Sequence, residues 1–298
     1  MNKPKVIAIV GPTASGKTSL AIKIAKRFNG EIISADSRQV YRGLDIGSAK
    51  VTKAEMDGIP HHLLDVADPK DTYTAADFKR EATVAMEAIW VRGKLPIVAG
   101  GTFFYIDTLL KRVNLPEVSP NEELRALLEE KSPSELLAIL HQLDASYAEL
   151  VDKDNKRRLI RAIEIATALG HVPEADNSAS PYDILTIGIT INKDNYEQVL
   201  RQRLIDRLDQ GLIVEVETLL SQGITHERLE SLGLEYRYVS RFLTGEITRD
   251  EMITQIVLKS RQFAKRQMTW LKRDKAIKWF KKDEVQQVNE EITAFLAN

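Results

Sequence analysis

The chain is 298 residues long, 43% hydrophobic and 29% charged, with no cysteine. That length suits one large domain or two smaller ones whose core needs no staple, and the missing thiol excludes disulfides, thiolate catalysis and Cys-ligated zinc. The formal net charge of −1 hides an asymmetry: residues 259–282 hold ten Lys or Arg and one acid, Asp274, so +9 there is offset by −10 elsewhere, which points to an anionic partner.

Lys5–Val10 (KVIAIV) is a nearly continuous apolar run, the pattern of a parallel strand buried on both faces. Residues 31–35, 95–99 and 184–189 read alike, and residues 277–280 are a fifth candidate. Helical periodicity falls between them. Leu20, Ile24 and Phe28 share one face of a helix over residues 18–28. Thr74-x-x-Asp77 is a capping box that opens a second helix, with Phe78, Ala82, Met86, Ile89 and Trp90 along one side. Residues 39–65 carry Gly43, Gly47, Gly58 and Pro60 with little periodicity, as loops that are either functional or disordered do. From about residue 116 to 180 the strands stop: residues 121–131, 133–151 and 155–169 are all helical in character, with prolines 116, 120 and 133 before them and Pro173 and residues 177–181 after. The rest is mainly helical, over residues 196–222, 235–243 and 249–273. The expected architecture is α/β, a doubly wound parallel sheet with an inserted all-helical subdomain: residues 1–115 and 182–298 make the core, and residues 116–181 the insertion. No apolar run approaches the ~20 residues of a membrane span, and the first strand follows the N-terminus with no secretory or transit pattern. A cytoplasmic protein that does not engage membranes is the expectation, and a monomer.

The sharpest motif is Gly11-Pro12-Thr13-Ala14-Ser15-Gly16-Lys17-Thr18, which fits G-x-x-x-x-G-K-[ST] directly after the first strand and opens the first helix. In that context it reads as a phosphate-binding P-loop, the ATP-binding motif of many NTPases. Its backbone N–H groups and helix N-terminus face phosphate oxygens; Lys17 adds a mobile charge and the Thr18 hydroxyl a ligand for Mg²⁺. The bland alternative is a chance match in a strand-to-helix turn. A P-loop leaves open which bond breaks. The third strand runs into Gly100-Gly101-Thr102, so a clear metal-binding Asp is lacking there and NTP hydrolysis is weakened as a reading, while Asp36 ends the second strand as it might in a small-molecule kinase. Asp36-Ser37-Arg38-Gln39 follows the second strand and Thr102 the third, and ligands of open α/β sheets bind outside these strand ends. Asp36 can there be a general base, a partner to a magnesium ligand or a strand-end cap, and Thr102 can be no more than a helix N-cap. His61-His62 lacks further ligands at metal spacing and reads as a hydrogen-bonding pair. Helix 259–273 has an apolar stripe of Phe263, Ala264, Met268 and Leu271 against Arg261, Lys265 and Lys272. With almost no acids to balance it, and with Lys156, Arg157, Arg158 and Arg161 as a second cluster, a phosphate-backbone footprint is expected.

With these residues in view, the chain resembles the bacterial tRNA dimethylallyltransferase (tRNA isopentenyltransferase) family. The resemblance rests on GPTASGKT at residues 11–18, DSRQVYRGLDIGSAK at 36–50, HHLLD at 61–65, GGTFFY at 100–105, RRLIRAIE at 157–164 and AKRQMTWLKRD at 264–274. Phe103-Phe104 departs from the family's usual GGTGLY. The resemblance implies transfer of a dimethylallyl group from dimethylallyl diphosphate, with Mg²⁺, to the N6 amine of the adenine 3′-adjacent to the anticodon in tRNA. It assigns catalysis to Asp36, Thr102, Lys17 and Arg207, and diphosphate binding to the P-loop. Contacts with the anticodon stem-loop would come from residues 36–39, Arg157, Arg158, Arg161, Lys265, Arg266 and the helical insertion. Arg207 read alone can equally be a surface arginine. The rivals are an adenylate isopentenyltransferase acting on free nucleotide, a P-loop small-molecule kinase and an RNA-binding NTPase. The basic helix and the insertion favour RNA.

Overall fold

The computed structural model describes residues 3–110, 113, 115–174, 180–192 and 194–298. Residues 177–179 of the stretch read as the insertion's exit lie outside them. The described residues fall into two compact units, one within residues 1–111 and 179–298, the other within residues 112–178.

In the first unit, β1 (Lys5–Val10), β2 (Gly30–Ser34), β3 (His61–His62), β4 (Leu95–Ala99), β5 (Asp183–Ile189) and β6 (Lys278–Phe280) build one sheet. Its order is β3-β2-β4-β1-β5-β6, with every neighbouring pair parallel. Helices α1 (Lys17–Arg27), α2 (Lys53–Met56), α3 (Ala75–Val91) and α4 (Phe103–Leu109) alternate with the first four strands. Successive strand residues point to opposite faces. Val6, Ala8 and Val10 meet Phe78, Ala82, Met86 and Ile89 of α3; Ile7 and Ile9 meet Leu20 and Ile24 of α1. Both faces are covered, which is why the strands are apolar throughout. Burying each such side chain contributes about 1.5–3 kcal/mol. The capping box at α3 is present, Thr74 accepting from the Asp77 N–H and Asp77 from the Thr74 N–H.

Sheet edge β3 was not among the expected strands. It joins β2 through Ile32–His61 and Ile33–His62, and His62 reaches Glu31 at 2.7 Å. Glu31 is 2% exposed, and Arg92 and Lys94 close on the same carboxylate. Burial alone would raise its pKa; the hydrogen bonds from Arg92, His62 and Lys94 overrule it and hold the group at about 2. Loop 39–65 is pinned rather than loose. Glu215 accepts the N–H groups of Asp45, Ile46 and Gly47, and the Lys50 ammonium bonds Asp45, Asp65 and the Tyr41 carbonyl.

The second unit holds α5 (Glu122–Glu129), α6 (Pro133–Leu143), α7 (Ala145–Leu150) and α8 (Lys156–Leu169). It has its own core, Leu136, Leu140, Leu159 and Ile163 among them. The single helix expected over residues 133–151 is two, because Asp144 turns extended and its carboxylate caps α7 at Tyr147 N–H. Glu164, 2% exposed, accepts from Arg125, Arg161 and the Asn121 N–H.

The remaining helices return to the first unit: α9 (Tyr196–Asp209), α10 (Leu212–Ser221), α11 (His226–Leu232), α12 (Leu234–Leu243), α13 (Arg249–Leu271) and α14 (Val285–Ala297). The helix expected over residues 196–222 breaks at Gly211, whose φ of 101° suits glycine. The sequence reading missed α11 and α14; α14 sets Val288 and Ile292 onto the α1 face of the sheet.

Candidate active site

The chain leaves β1 at Val10 and turns at once. A Cβ on Gly11 would stand 2.8 Å from the Ile189 carbonyl oxygen and 2.9 Å from Ser15 Oγ, so only glycine lets the loop pass. Ala14 and Gly16 have φ of 58° and 89°, and these left-handed turns curl the backbone N–H groups around a concavity at the start of α1. Lys17 Nζ donates to the Pro12 carbonyl at 2.6 Å. Part of its surface is open, but protein atoms crowd the amine. That desolvation pushes its pKa down to about 8, with nearby Arg203 adding to the shift and Asp36 opposing it.

The ends of β2 and β4 are pressed together beside this loop. A Cβ on Gly100 would fall 2.1 Å from the Ala35 carbonyl oxygen. That approach lets Thr102 Oγ1 accept the Ser37 N–H at 3.0 Å. Thr102 occupies the N-cap position of α4 but makes no side-chain cap bond there, so capping does not account for it. Asp36 Oδ1 accepts the Arg38 N–H at 2.9 Å and the Gln39 N–H at 3.4 Å. Gln39 spends both ends of its amide inside the protein, accepting from Ser34 Oγ and donating to the Ala49 carbonyl.

Two residues that the sequence reading did not single out complete the arrangement. Gln267, 5% exposed on α13, accepts the Thr13 N–H and donates to the Gly101 carbonyl, tying the phosphate loop to the loop that carries Thr102. Arg203 lines the same cavity one helical turn before Arg207; its carbonyl accepts from Arg207 Nε at 3.2 Å, and its guanidinium makes no hydrogen bond among the described residues. Crowding by protein and the nearby Arg207 charge lower its pKa. Its only signal in the sequence is the four-residue spacing from Arg207. Arg207 itself donates to the Gly47 carbonyl and to Glu235, each at 2.9 Å.

These groups line one cavity of about 1030 Å³. Lys17, Arg203 and Arg207 converge there on a cradle of backbone N–H groups, an anion site by charge and by geometry. Thr18, Asp36 and Thr102 share its wall, and Phe104, Phe263, Arg266 and Trp270 line it as well. Phe103 is buried, while Phe104 is open. Phe263 is 41% exposed and does not extend the core stripe of Ala264 and Leu271, although its helical period suggested that it would.

Among the described residues no group of three or more His, Asp or Glu is placed to hold a metal ion. His62 is spent on Glu31, and His61 Nδ1 donates to the Ile59 carbonyl at 2.9 Å. The Thr18 hydroxyl, which lines the cavity, suits a magnesium ion that brings most of its coordination as water and phosphate oxygen. In the second unit Lys156, Arg158 and Arg161 pair with Glu129, Asp152 and Glu164. Arg157 is exposed, without an acidic partner among the described residues. On α13, Lys265 and Arg266 are also exposed and without acidic partners among the described residues.

Fold and site together define a doubly wound parallel α/β protein whose strand ends set Lys17, Arg203 and Arg207 in one cavity with the Asp36 carboxylate. The comparisons narrow that class. An IPP transferase family model matches residues 39–274. The tRNA dimethylallyltransferase of Thermomicrobium roseum is 42% identical over 287 residues, 94% of this chain and 87% of that protein. The crystal structure of full-length tRNA isopentenylpyrophosphate transferase from Bacillus halodurans matches with a TM-score of 0.76 at 36% identity, over 99% of this chain and 97% of that one. A eukaryotic dimethylallyltransferase acting on tRNA gives a TM-score of 0.80 at 29% identity, over 93% and 74%. The chain belongs to the IPP transferase family.

Proposed function

We propose that this chain transfers a dimethylallyl group from dimethylallyl diphosphate to the N6 amine of the adenine 3′-adjacent to the anticodon in tRNA, and releases diphosphate. The carrying observation is the juxtaposition of Lys17, Arg203 and Arg207 with the phosphate loop on one side and Asp36 with Thr102 on the other, all in one cavity. The relatives' names supply the donor and acceptor classes.

In this reading the diphosphate lies in the cradle of residues 11–18. The adenine amine attacks the allylic C1: the N6–C1 bond forms, the C1–O bond breaks, and its electron pair leaves on the diphosphate. An exocyclic amine is a poor nucleophile because its lone pair is delocalised into the ring. Asp36 takes the N6 proton as attack proceeds, a role worth typically 10²–10⁴-fold. Thr102 Oγ1 already accepts from Ser37, so its own proton is free to donate to the base and fix its orientation. The backbone N–H groups, Lys17, Arg203 and Arg207 stabilise the charge that grows on the leaving group. Mg²⁺, held by Thr18, would neutralise part of the same charge. The adenine must leave its stack to reach Asp36, at a cost of a few kcal/mol; Ser37 and Arg38 on the Asp36 loop and Lys265 and Arg266 on α13 supply RNA contacts that offset it.

Incubation with radiolabelled dimethylallyl diphosphate, Mg²⁺ and either unmodified tRNA or AMP tests this directly. Label is expected in tRNA alone. Label in AMP would make the protein a free-nucleotide enzyme, and ATP cleavage with the prenyl donor ignored would overturn the transferase reading.

A further inference from the structure

Two large aromatic side chains stand open at the cavity: Phe104 is 43% and Phe263 41% exposed. A lone exposed apolar residue needs no explanation; here the arrangement asks for one. On α13, Phe263, Arg266, Gln267 and Trp270 fall at i, i+3, i+4 and i+7, one face of the helix, and all four line the cavity. The Arg266 guanidinium lies 5.9 Å from the centre of the Phe263 ring. On α4, Phe104 sits one turn before Asp107, which accepts the Trp270 Nε1–H at 3.1 Å. That bond pins the two helices together, and Phe104 lines the same cavity wall as Trp270.

The result is an aromatic rim with one cation, Arg266, at its edge and without an acidic partner among the described residues, lining the cavity that also holds Asp36. An apolar ligand alone would not call for Arg266, and a free phosphate would not call for two exposed rings. Unstacked nucleobases on a phosphate backbone call for both, because each base offers a π-face and each linkage a negative charge. Phe103-Phe104 stands where the usual family pattern has Gly-Leu.

We propose that Phe104 and Phe263 form a stacking platform for the nucleotides that flank the extruded adenine, with Arg266 holding their phosphates. This rests on the reading of the protein as a tRNA-modifying transferase. The experiment places 2-aminopurine on either side of the target adenine in an anticodon stem-loop RNA and follows its fluorescence and its prenylation. Stacking on the rings is expected to quench the probe on binding. Phe104→Leu and Phe263→Ala should each leave it brighter and raise KM for RNA by roughly 5- to 150-fold, the range of one base–aromatic stack. Under saturating RNA, kcat should stay within a few fold and inorganic diphosphate affinity should not move, which a general loss of structure would not permit. Phe104→Tyr should restore both signals. The platform is disproved if Phe104→Leu and Phe263→Ala quench the probe and show the KM of the unaltered chain. If the unaltered chain prenylates no RNA, the underlying transferase reading fails instead, so the two failures are distinguishable.

Discussion

Asp36 is held by its own backbone. Its Oδ1 accepts two N–H groups from the turn it begins, so the carboxylate is oriented before any substrate arrives. Asp36→Ala should therefore lower single-turnover prenylation by roughly 10²-fold or more while tRNA affinity stays within a few fold; unchanged turnover would take Asp36 out of the proton transfer. Lys17 behaves differently, because desolvation brings its pKa down to about 8 from 10.5. Sign follows from charge. In the empty protein the ammonium is disfavoured below about pH 8, and that cost fades as pH rises from 8 towards 10.5, where the unfolded chain also loses its proton. A bound diphosphate reverses the preference, so Lys17 should take up a proton on binding when the pH exceeds 8. Calorimetry with inorganic diphosphate should show affinity falling from pH 7 to pH 9.5 in the unaltered chain relative to Lys17→Met, and equal slopes in the two proteins would contradict this assignment. Asp36, Thr102 and the phosphate loop were legible in the sequence because each stands within a few residues of a strand end, where the fold class dictates position. Arg203 and Gln267 were not, since their place depends on where two distant helices land.

Helix α13 shows the same division one level up. Its inner side buries Met252, Ile256, Ala264 and Leu271, and its outer side leaves Lys265 and Arg266 exposed without acidic partners among the described residues. Cations in that condition release counterions when they meet phosphates, each contact contributing about 0.7–0.9 to the slope of log K against log salt. Replacing both by alanine should weaken tRNA binding and flatten that slope by one to two; filter binding between 50 and 200 mM salt reads it, and an unaltered slope would remove the helix from the RNA. The alternation of elements was readable because strands covered on both faces carry apolar residues without a break. Periodicity could not place Phe263, since the rim of a cavity and the core present the same spacing along a helix. Nor could it see the break at Gly211 or the cap at Asp144, where one residue's backbone angle ends a pattern that the flanking side chains continue.

Across the whole chain, charge and packing divide along different lines. Residues 259–282 concentrate the cations, and they belong to the unit that holds the sheet and the cavity. The helical unit spends Lys156, Arg158 and Arg161 on its own acids, which leaves Arg157 as its open cation from the cluster read in the sequence. Its hydrophobic core, Leu136, Leu140, Leu159 and Ile163 among it, is a separate cluster from the three that pack the sheet and the later helices. A unit with its own core can be removed without opening the others. Replacing residues 116–174 by a flexible Gly/Ser linker should thus leave a folded protein that binds inorganic diphosphate within about threefold of the full chain. If the helical unit grips the anticodon stem-loop, the same deletion should raise KM for tRNA by more than tenfold, through lost binding area with the chemistry at Asp36 untouched. A KM for tRNA that does not move would assign RNA binding to the sheet-containing unit alone, and with it to α13 and the loop that begins at Asp36.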